Sequence, residues 1–431
     1  MSAERPGRLA ENVELRLAQI ESGEINSIAA GVLTEPKRLA ALYEVLQGVP
    51  VWVDHRGLTE QGRDLLDILQ ATPFEGLNPA RYHTTPVAGM LQRMDNEAKS
   101  AYAEAQAMRE VRAREMLAEL AEIKAAEANR KVAAEQQEVA DSDDDEDTDD
   151  DAGDVDDEDS AQSDDDDDDS AAADTEGAEQ KQAEDETAAT AELADEQADE
   201  QAQLQTMLET LPPIQTPLPS LDVLADIEVL LADAYLHLAR HRASGVVDPQ
   251  SLDIGWHIAR RNVLNEQALY TAVAEKKSRT YLQSLKPAAP EYLALEMALQ
   301  RYMALHERGG WRAISTGSLL KPGDDDNRVP ALRARLQLSG ELASAEAGRA
   351  DDDEYEGAVV TAVKRFQQRH GLKVDGIVGP NTVAHLNMTV TQKLDAIRAS
   401  MERWRWLPPD LGKRHIRVNV AGYYMQVIEN G

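Results

Sequence analysis

The chain has 431 residues, with 44 Lys and Arg against 80 Asp and Glu, a formal charge of −36 and no cysteine. So acidic a balance argues against a nucleic-acid binder, which needs clustered Lys and Arg for phosphate contacts, and the missing cysteine removes thiol nucleophiles, thiolate ligands and disulfides. No uninterrupted apolar run reaches the ~20 residues of a membrane-spanning helix, and MSAERPGRLAENVELRLAQI at the amino terminus lacks the basic, apolar and small-residue regions of a secretory signal.

Taken in chain order, residues 1–35 are expected to form an N-terminal helical extension. Residues 36–90 carry short extended pieces and turns, with Val49-Pro50-Val51-Trp52-Val53, Gly57-Leu58-Thr59 and Gly76-Leu77-Asn78-Pro79-Ala80-Arg81-Tyr82 as landmarks. Thr59 is placed to cap a helix that shows Leu65, Leu66 and Leu69 on one face, and Asn78-Pro79 opens a turn. Residues 91–140 are rich in Ala, Glu, Lys and Arg, which predicts a long exposed helix or a helical hairpin arm. Its apolar spacing is too irregular for a coiled coil.

Residues 141–220 read as an acidic disordered insertion and linker. Asp141 to Asp169 holds 20 acidic residues and no basic one, and continuing to Gln203 adds 11 acidic residues and one lysine, a local charge of −30. About −6 is left for the rest of the chain. Like charge at that density, almost without large apolar groups, cannot bury a core. A calcium-loop reading fails on position: with Gly153 as the sixth loop residue, Thr148 and Ala152 fall where acidic ligands belong.

From 221 to 317 the chain regains a globular pattern. Leu224, Ile227, Leu231, Tyr235 and Leu238 recur at helical spacing, Gly245-Val246-Val247-Asp248-Pro249 follows, and a helix is expected from about Pro290 to Arg308, ended by Gly309-Gly310-Trp311. His237 and His241, four apart, share a helical face. The residues between them are Leu238, Ala239 and Arg240, with no glutamate and no evident third ligand, so the pair is expected at the surface and no metal is assigned. Paired carboxylates for glycoside hydrolysis cannot be selected among 80 acidic residues.

Residues 318–390 hold the clearest pattern. In AVVTAVKRFQQRHGLKVDGIVGPNTVAHLN, Ala358 to Asn387, Val360, Val363 and Phe366 recur every three residues while Lys364, Arg365, Gln368 and Arg369 take the other face. Gly371 ends that helix, Asp375-Gly376 and Gly379-Pro380 supply turn chemistry, and Val383 and Leu386 pack back. An earlier helix is expected in VPALRARLQL, Val329 to Leu338, leaving an acidic, flexible link from Ser339 to Glu356. The four elements Phe366-Gln367, Gly371-Leu372, Asp375-Gly376 and Gly379-Pro380-Asn381-Thr382 resemble the peptidoglycan-binding module of bacterial wall hydrolases and transferases. Loop chemistry and that resemblance together select Arg369, His370, Asp375, Gly376, Asn381 and Thr382 as candidate peptidoglycan-binding residues; helix capping and turn geometry account for the same residues without a ligand.

Residues 391–431 read as a linker helix followed by strands. Trp404-Arg405-Trp406-Leu407-Pro408 and His415-Ile416-Arg417-Val418-Asn419-Val420, with a turn at Ala421-Gly422-Tyr423, resemble the opening of the catalytic domain of the large periplasmic L,D-transpeptidases. Ile416, Val418 and Val420 alternate on one strand and Tyr424, Gln426 and Ile428 on the next. The landmarks at 36–90 and 221–317 resemble the two parts of the scaffold domain of the same enzymes.

The resemblance implies a mainly α fold: a helical scaffold domain with a long acidic disordered insertion, a three-helix peptidoglycan-binding-like module, and a C-terminal β-hairpin stub of a truncated β-rich catalytic domain. It implies a periplasmic role in peptidoglycan cross-linking or remodelling. Its expected partners are peptidoglycan, through stem peptide or glycan, and cell-wall synthesis proteins, without cofactor or metal. The family's nucleophile is a cysteine in a Ser-x-Gly-Cys context with a histidine upstream, and this chain has none, so no catalytic residue is assigned. The alternative is a stand-alone wall-binding or scaffold protein without enzymatic activity.

Overall fold

A computed structural model describes residues 4–142, 198–252, 255–259, 261–346, 349, 351–420 and 422–430. They form two compact units, one spanning Asp95–Pro217 and the other built from the chain on either side of it, through Met94 and from Leu218. Most of the acidic tract read as disordered, residues 143–197, lies outside the described residues, and the calcium-loop positions lie there too.

In the flanking unit the elements are α1 (Arg5–Glu21), α2 (Pro36–Val45), α3 (Glu60–Gln70), the start of α4 (Thr84–Ser142) and α6 (Leu221–Ser244). Two two-stranded ribbons pair Ser27–Ile28 (β1) with Gly31–Val32 (β2) and Val53–Asp54 (β3) with Gly57–Leu58 (β4). Between Leu224 and Ala243, α6 is buried almost around its whole circumference, more than the one-sided stripe read from its leucines. α1 buries Leu9, Val13 and Ile20 in the same core, so the expected N-terminal extension is an integral layer of it. As predicted, Thr59 accepts a hydrogen bond from the Gly62 amide at 3.0 Å to cap α3, and Asn78 caps a short 3-10 turn at Pro79–Tyr82.

The two halves of this core are joined by charged groups on α6 that reach back across the sequence. The Glu228 carboxylate, wholly buried, accepts from the Val51, Trp52 and Val53 amides at 2.8 to 2.9 Å and from the Tyr43 hydroxyl at 2.6 Å. Asp233 accepts from the Thr34 and Glu35 amides, capping the start of α2, and pairs with His83 at 2.7 Å. Arg242 forks onto Glu75 at 2.9 and 2.5 Å. Buried charges of this kind persist only when each is paired or fully hydrogen-bonded, which ties residues 34–83 to α6 whatever the length of the insertion between them.

His237 and His241, expected at the surface, are buried at 5% and 1% exposure. Their rings lie 4.1 Å apart and the Tyr82 hydroxyl meets His241 Nδ1 at 2.9 Å. The core here comes from both halves of the unit, so α6 has no outer face for the pair to occupy.

After α6 come α7 (Glu266–Ala274), α8 (Ser278–Ser284) and α9 (Pro290–Glu307), then α10 (Val329–Ser339), α11 (Gly357–Arg369), α12 (Pro380–Leu386) and α13 (Val390–Trp406). The last of these packs along α9 through Val390, Leu394 and Met401 against Tyr292 and Leu299, and a Thr389–Gln392 capping box starts it. Arg405, fully buried, donates to the Glu75 carbonyl, to the Tyr292 hydroxyl at 2.9 Å and to Glu402 at 3.1 Å. Glu402 also accepts from the Val246 and Val247 amides. The Trp-Arg-Trp sequence is therefore a clamp that fixes α13 to the scaffold.

Beyond α13, β5 (Arg414–Asn419) and β6 (Tyr424–Glu429) form the expected antiparallel hairpin. Its register sets Ile416 opposite Val427 and Val418 opposite Met425, all 54–67% exposed. The opposite face mixes His415, Arg417, Asn419 and Gln426 with Tyr424 and Ile428, and there Arg417 reaches Glu291 at 2.7 Å.

In the other unit, residues 198–210 form a helix, α5. The composition-based reading of 141–220 as disordered is corrected for this stretch. Leu204, Met207, Leu208 and Leu211, spaced by three and four, make an amphipathic stripe and are its partly buried positions. Arg109 of α4 donates to the Leu208 and Leu211 carbonyls at 2.8 and 2.9 Å, satisfying the carbonyl end of α5.

Candidate functional site

The three-helix module is organised around a side chain that the sequence reading placed in the motif but not in the site. α11 buries Val359, Ala362, Val363, Phe366 and Gln367, so its inward face is centred on Val359 and Val363, with Val360 at its edge. Lys364, Arg365, Gln368 and Arg369 are exposed as expected.

Gln367, 1% exposed, is an amide inside an apolar core and must have its hydrogen bonds met there. Its Nε2 donates to the Ile377 carbonyl at 3.0 Å and to Asp375 Oδ1 at 3.2 Å, and its Oε1 accepts from the Gly376 amide at 2.9 Å. The Thr382 hydroxyl sits 3.5 Å from the same Nε2. The aromatic-Gln, Asp-Gly and Gly-Pro-x-Thr elements thus converge on one carboxamide.

Each candidate residue has a definite place in this geometry. Asp375 also accepts from the Ile377 amide at 2.9 Å, and that bond holds its carboxyl below the usual carboxylate range. Gly376 has φ of +75°, where a side chain is strained, and a Cβ there would also crowd Lys364 Cε at 2.9 Å and Val360 Cγ1 at 3.2 Å. Its carbonyl accepts from the buried Tyr355 hydroxyl at 2.6 Å. Thr382 is buried behind the turn at the start of α12. These three residues shape the loop from within.

Arg369, Asn381 and His370 lie outside that network. Arg369 is half exposed and pairs with Glu341, while Asn381 is exposed on α12 and its carbonyl meets His385 Nδ1 at 2.8 Å. His370 stacks on Phe366 with ring centroids 3.9 Å apart and hydrogen-bonds the Phe366 carbonyl at 2.8 Å through Nδ1. Burial pushes its pKa down to about 4, so the ring is neutral, and its Nε2 faces Lys393 Nζ of α13 at 3.2 Å.

Tyr355 was missed in the sequence because it lies in the link read as acidic and flexible. The structure corrects that reading for residues 351–356. The Asp326 amide donates to the Asp353 carbonyl, the Tyr355 amide donates to the Asp324 carbonyl and the Gly323 amide to the Tyr355 carbonyl beside a bridge at Asp325 and Glu354, and Tyr355 is fully buried. A lone tyrosine among acids was the available signal, since an aromatic that size is rarely left in water. A second bridge joins Leu320 to Val378, closing the loop from its other side. Trp311 completes the module's base: its indole donates to the Met388 carbonyl at 3.1 Å and the Arg335 guanidinium lies 3.7 Å over its ring.

Among the described residues no group of three or more His, Cys, Asp or Glu side chains has metal-binding geometry, and no helix is long and apolar enough to cross a membrane.

Comparison with known proteins matches residues 37–128 and 111–299 to the Scaffold domain, and residues 325–386 to the peptidoglycan binding domain. The second match begins just before α10 and ends at the last residue of α12. The chain is also 43% identical over 68 residues, 16% of its length, to the N-acetylmuramoyl-L-alanine amidase CwlL of Bacillus licheniformis, and spans 18% of the length of that protein.

Proposed function

We propose, for a chain that belongs to the Scaffold domain family and whose following peptidoglycan-binding domain fits the L,D-transpeptidase-like architecture, that it is the wall-binding and positioning part of such an enzyme in peptidoglycan cross-linking or remodelling. The observation that carries this reading is the Gln367 network. It holds the Asp375–Gly376 turn and the start of α12 rigidly and leaves Arg369, Asn381 and the Lys373 end of the loop outward, where a stem peptide or glycan can reach them. The partial likeness to a wall amidase supports the same substrate polymer.

The scaffold's part is to hold the module and the hairpin in fixed positions through α13, whose Arg405 and Glu402 clamp removes a hinge. No cysteine stands in this chain, so acyl transfer through a thioester has no nucleophile on it. We place its action in the periplasm, beside cell-wall synthesis proteins. Sedimentation of the purified chain with isolated sacculi, beside a variant lacking residues 318–390, tests the reading. Deletion-sensitive co-sedimentation is expected, and a folded chain that stays in the supernatant would overturn it.

A further inference from the structure

A cavity of about 430 Å³ opens in the scaffold, away from the peptidoglycan-binding module, between the start of α3 and the turn that joins α7 to α8. Its volume lies within the ~300–1,000 Å³ of ordinary small-molecule sites. Val49, Pro50 and Val51 give it an accessible aliphatic wall above the buried Leu65, Ile68 and Val273. The walls are tied to each other, because Gln61 Nε2 donates to the Val273 carbonyl at 3.2 Å and to the Ser278 hydroxyl oxygen at 3.0 Å. The space is preformed.

Four charged side chains line it: Glu60, Asp64, Lys276 and Arg279. Arg279 and Asp64 pair at 2.8 Å and cancel, while among the described residues Glu60 and Lys276 form no ion pair. Lys276 also holds an unusual backbone. The end of α7 closes with the Lys277 amide on the Ala272 carbonyl at 2.7 Å and the Lys276 amide on the Val273 carbonyl at 3.1 Å, which sets Lys276 at φ of +58°. Glycine is the usual occupant of that position, because a Cβ is strained there. Lysine supplies what glycine cannot, an exposed ammonium-bearing side chain on a residue that lines the cavity.

We infer that this cavity binds a short zwitterionic aliphatic peptide, with its side chains against Val49, Pro50 and Val51, its carboxylate on Lys276 and its ammonium on Glu60. A simple anion would meet Glu60 and a simple cation would meet Lys276, whereas a zwitterion satisfies both. The inference does not depend on wall binding by the module.

The test titrates the full chain with the tripeptide Ala-Ala-Ala, its N-acetyl form and its carboxy-terminal amide, followed by calorimetry or by amide chemical shifts. The free tripeptide is expected to saturate, and capping either end to weaken it about two- to fivefold, the range of one exposed ion pair. Lys276→Gly should make free acid and amide equal, and Glu60→Gln should make free amine and N-acetyl form equal. Lys276→Gly relieves the positive φ, so its melting temperature should rise while affinity falls, which separates lost binding from lost folding. The inference is overturned if capping changes nothing, if the variants weaken all three peptides alike, or if no peptide saturates. Sacculus sedimentation reads the module alone and answers separately.

Discussion

Replacing Gln367 by leucine tests whether the motif of the module is an internal brace. Leucine keeps the volume, so the cavity contribution is small. The change removes the partner of the buried Gly376 amide and weakens acceptance at the Ile377 carbonyl, which keeps only the longer Thr382 contact at 3.4 Å. One stranded buried donor costs about 1–3 kcal/mol and a weakened second bond about 1 kcal/mol, giving a loss of about 2–4 kcal/mol. Urea unfolding read by tryptophan fluorescence, in a chain whose other four tryptophans are replaced by phenylalanine, reports it, since the Trp311 indole packs against Arg335 of α10 and hydrogen-bonds Met388. Gln368→Leu, one residue on and exposed, should stay within about 0.5 kcal/mol and is the control. A Gln367→Leu chain as stable as the parent would refute the brace. Equal stability with lost sacculus binding would make Gln367 a ligand contact instead.

Gly376→Ala should cost about 1–2 kcal/mol by the same assay, from a Cβ at positive φ crowding Lys364. Asn381→Ala should leave stability within about 0.5 kcal/mol, whereas Arg369→Ala takes the cation from the buried Glu341 carboxylate and should cost about 1–3 kcal/mol; both should reduce sacculus co-sedimentation, and unchanged co-sedimentation would remove them from the binding face. Glu228→Gln should destabilise the scaffold by about 2–4 kcal/mol, because a carboxamide cannot accept from all four donors and strands at least one buried amide. A melting temperature unchanged by that substitution would contradict the bridging role. The buried imidazoles predict acid lability: burial first, then Arg240, lowers His237 to about 4, and burial, then His237, lowers His241 to about 2. Both pKa values are depressed below the unfolded value near 6.5, so the unfolded chain binds more protons below it. Stability is then full above about pH 6.5 and falls as pH drops towards 4, by about 3 kcal/mol for the pair at pH 5.5. His237→Leu removes one titrating group and a buried Nδ1 without a partner, so it should be neutral or stabilising at pH 7.5 and roughly halve the acid slope. A slope left unchanged would refute this.

The sequence by itself determined the elements whose signals are local. Thr59 capping α3, the bounds of α9, α11 and α12, the glycine at the Asp375–Gly376 turn and the β5–β6 hairpin all follow from periodicity, capping and turn chemistry within a dozen residues. Even the disagreement over residues 198–210 was one of weighting: a leucine stripe with helical spacing stood inside a segment judged by its charge.

The tertiary structure alone decided what depends on residues far apart in the chain. Glu228 meeting Val51–Val53, Arg405 meeting Glu75 and Tyr292, and the cavity shared by α3 and the α7–α8 turn join segments separated by between about a hundred and more than three hundred residues. The burial of His237 and His241 belongs with them, because a helical pattern shows which residues share a face but not how many other elements cover it. For the same reason Phe366-Gln367 and Asp375-Gly376 could be read as one motif while the reason for the motif, a single buried carboxamide satisfied on both sides, waited for the fold. Local propensity is fixed by covalent neighbours, whereas satisfaction of a buried polar group is a property of the assembled core.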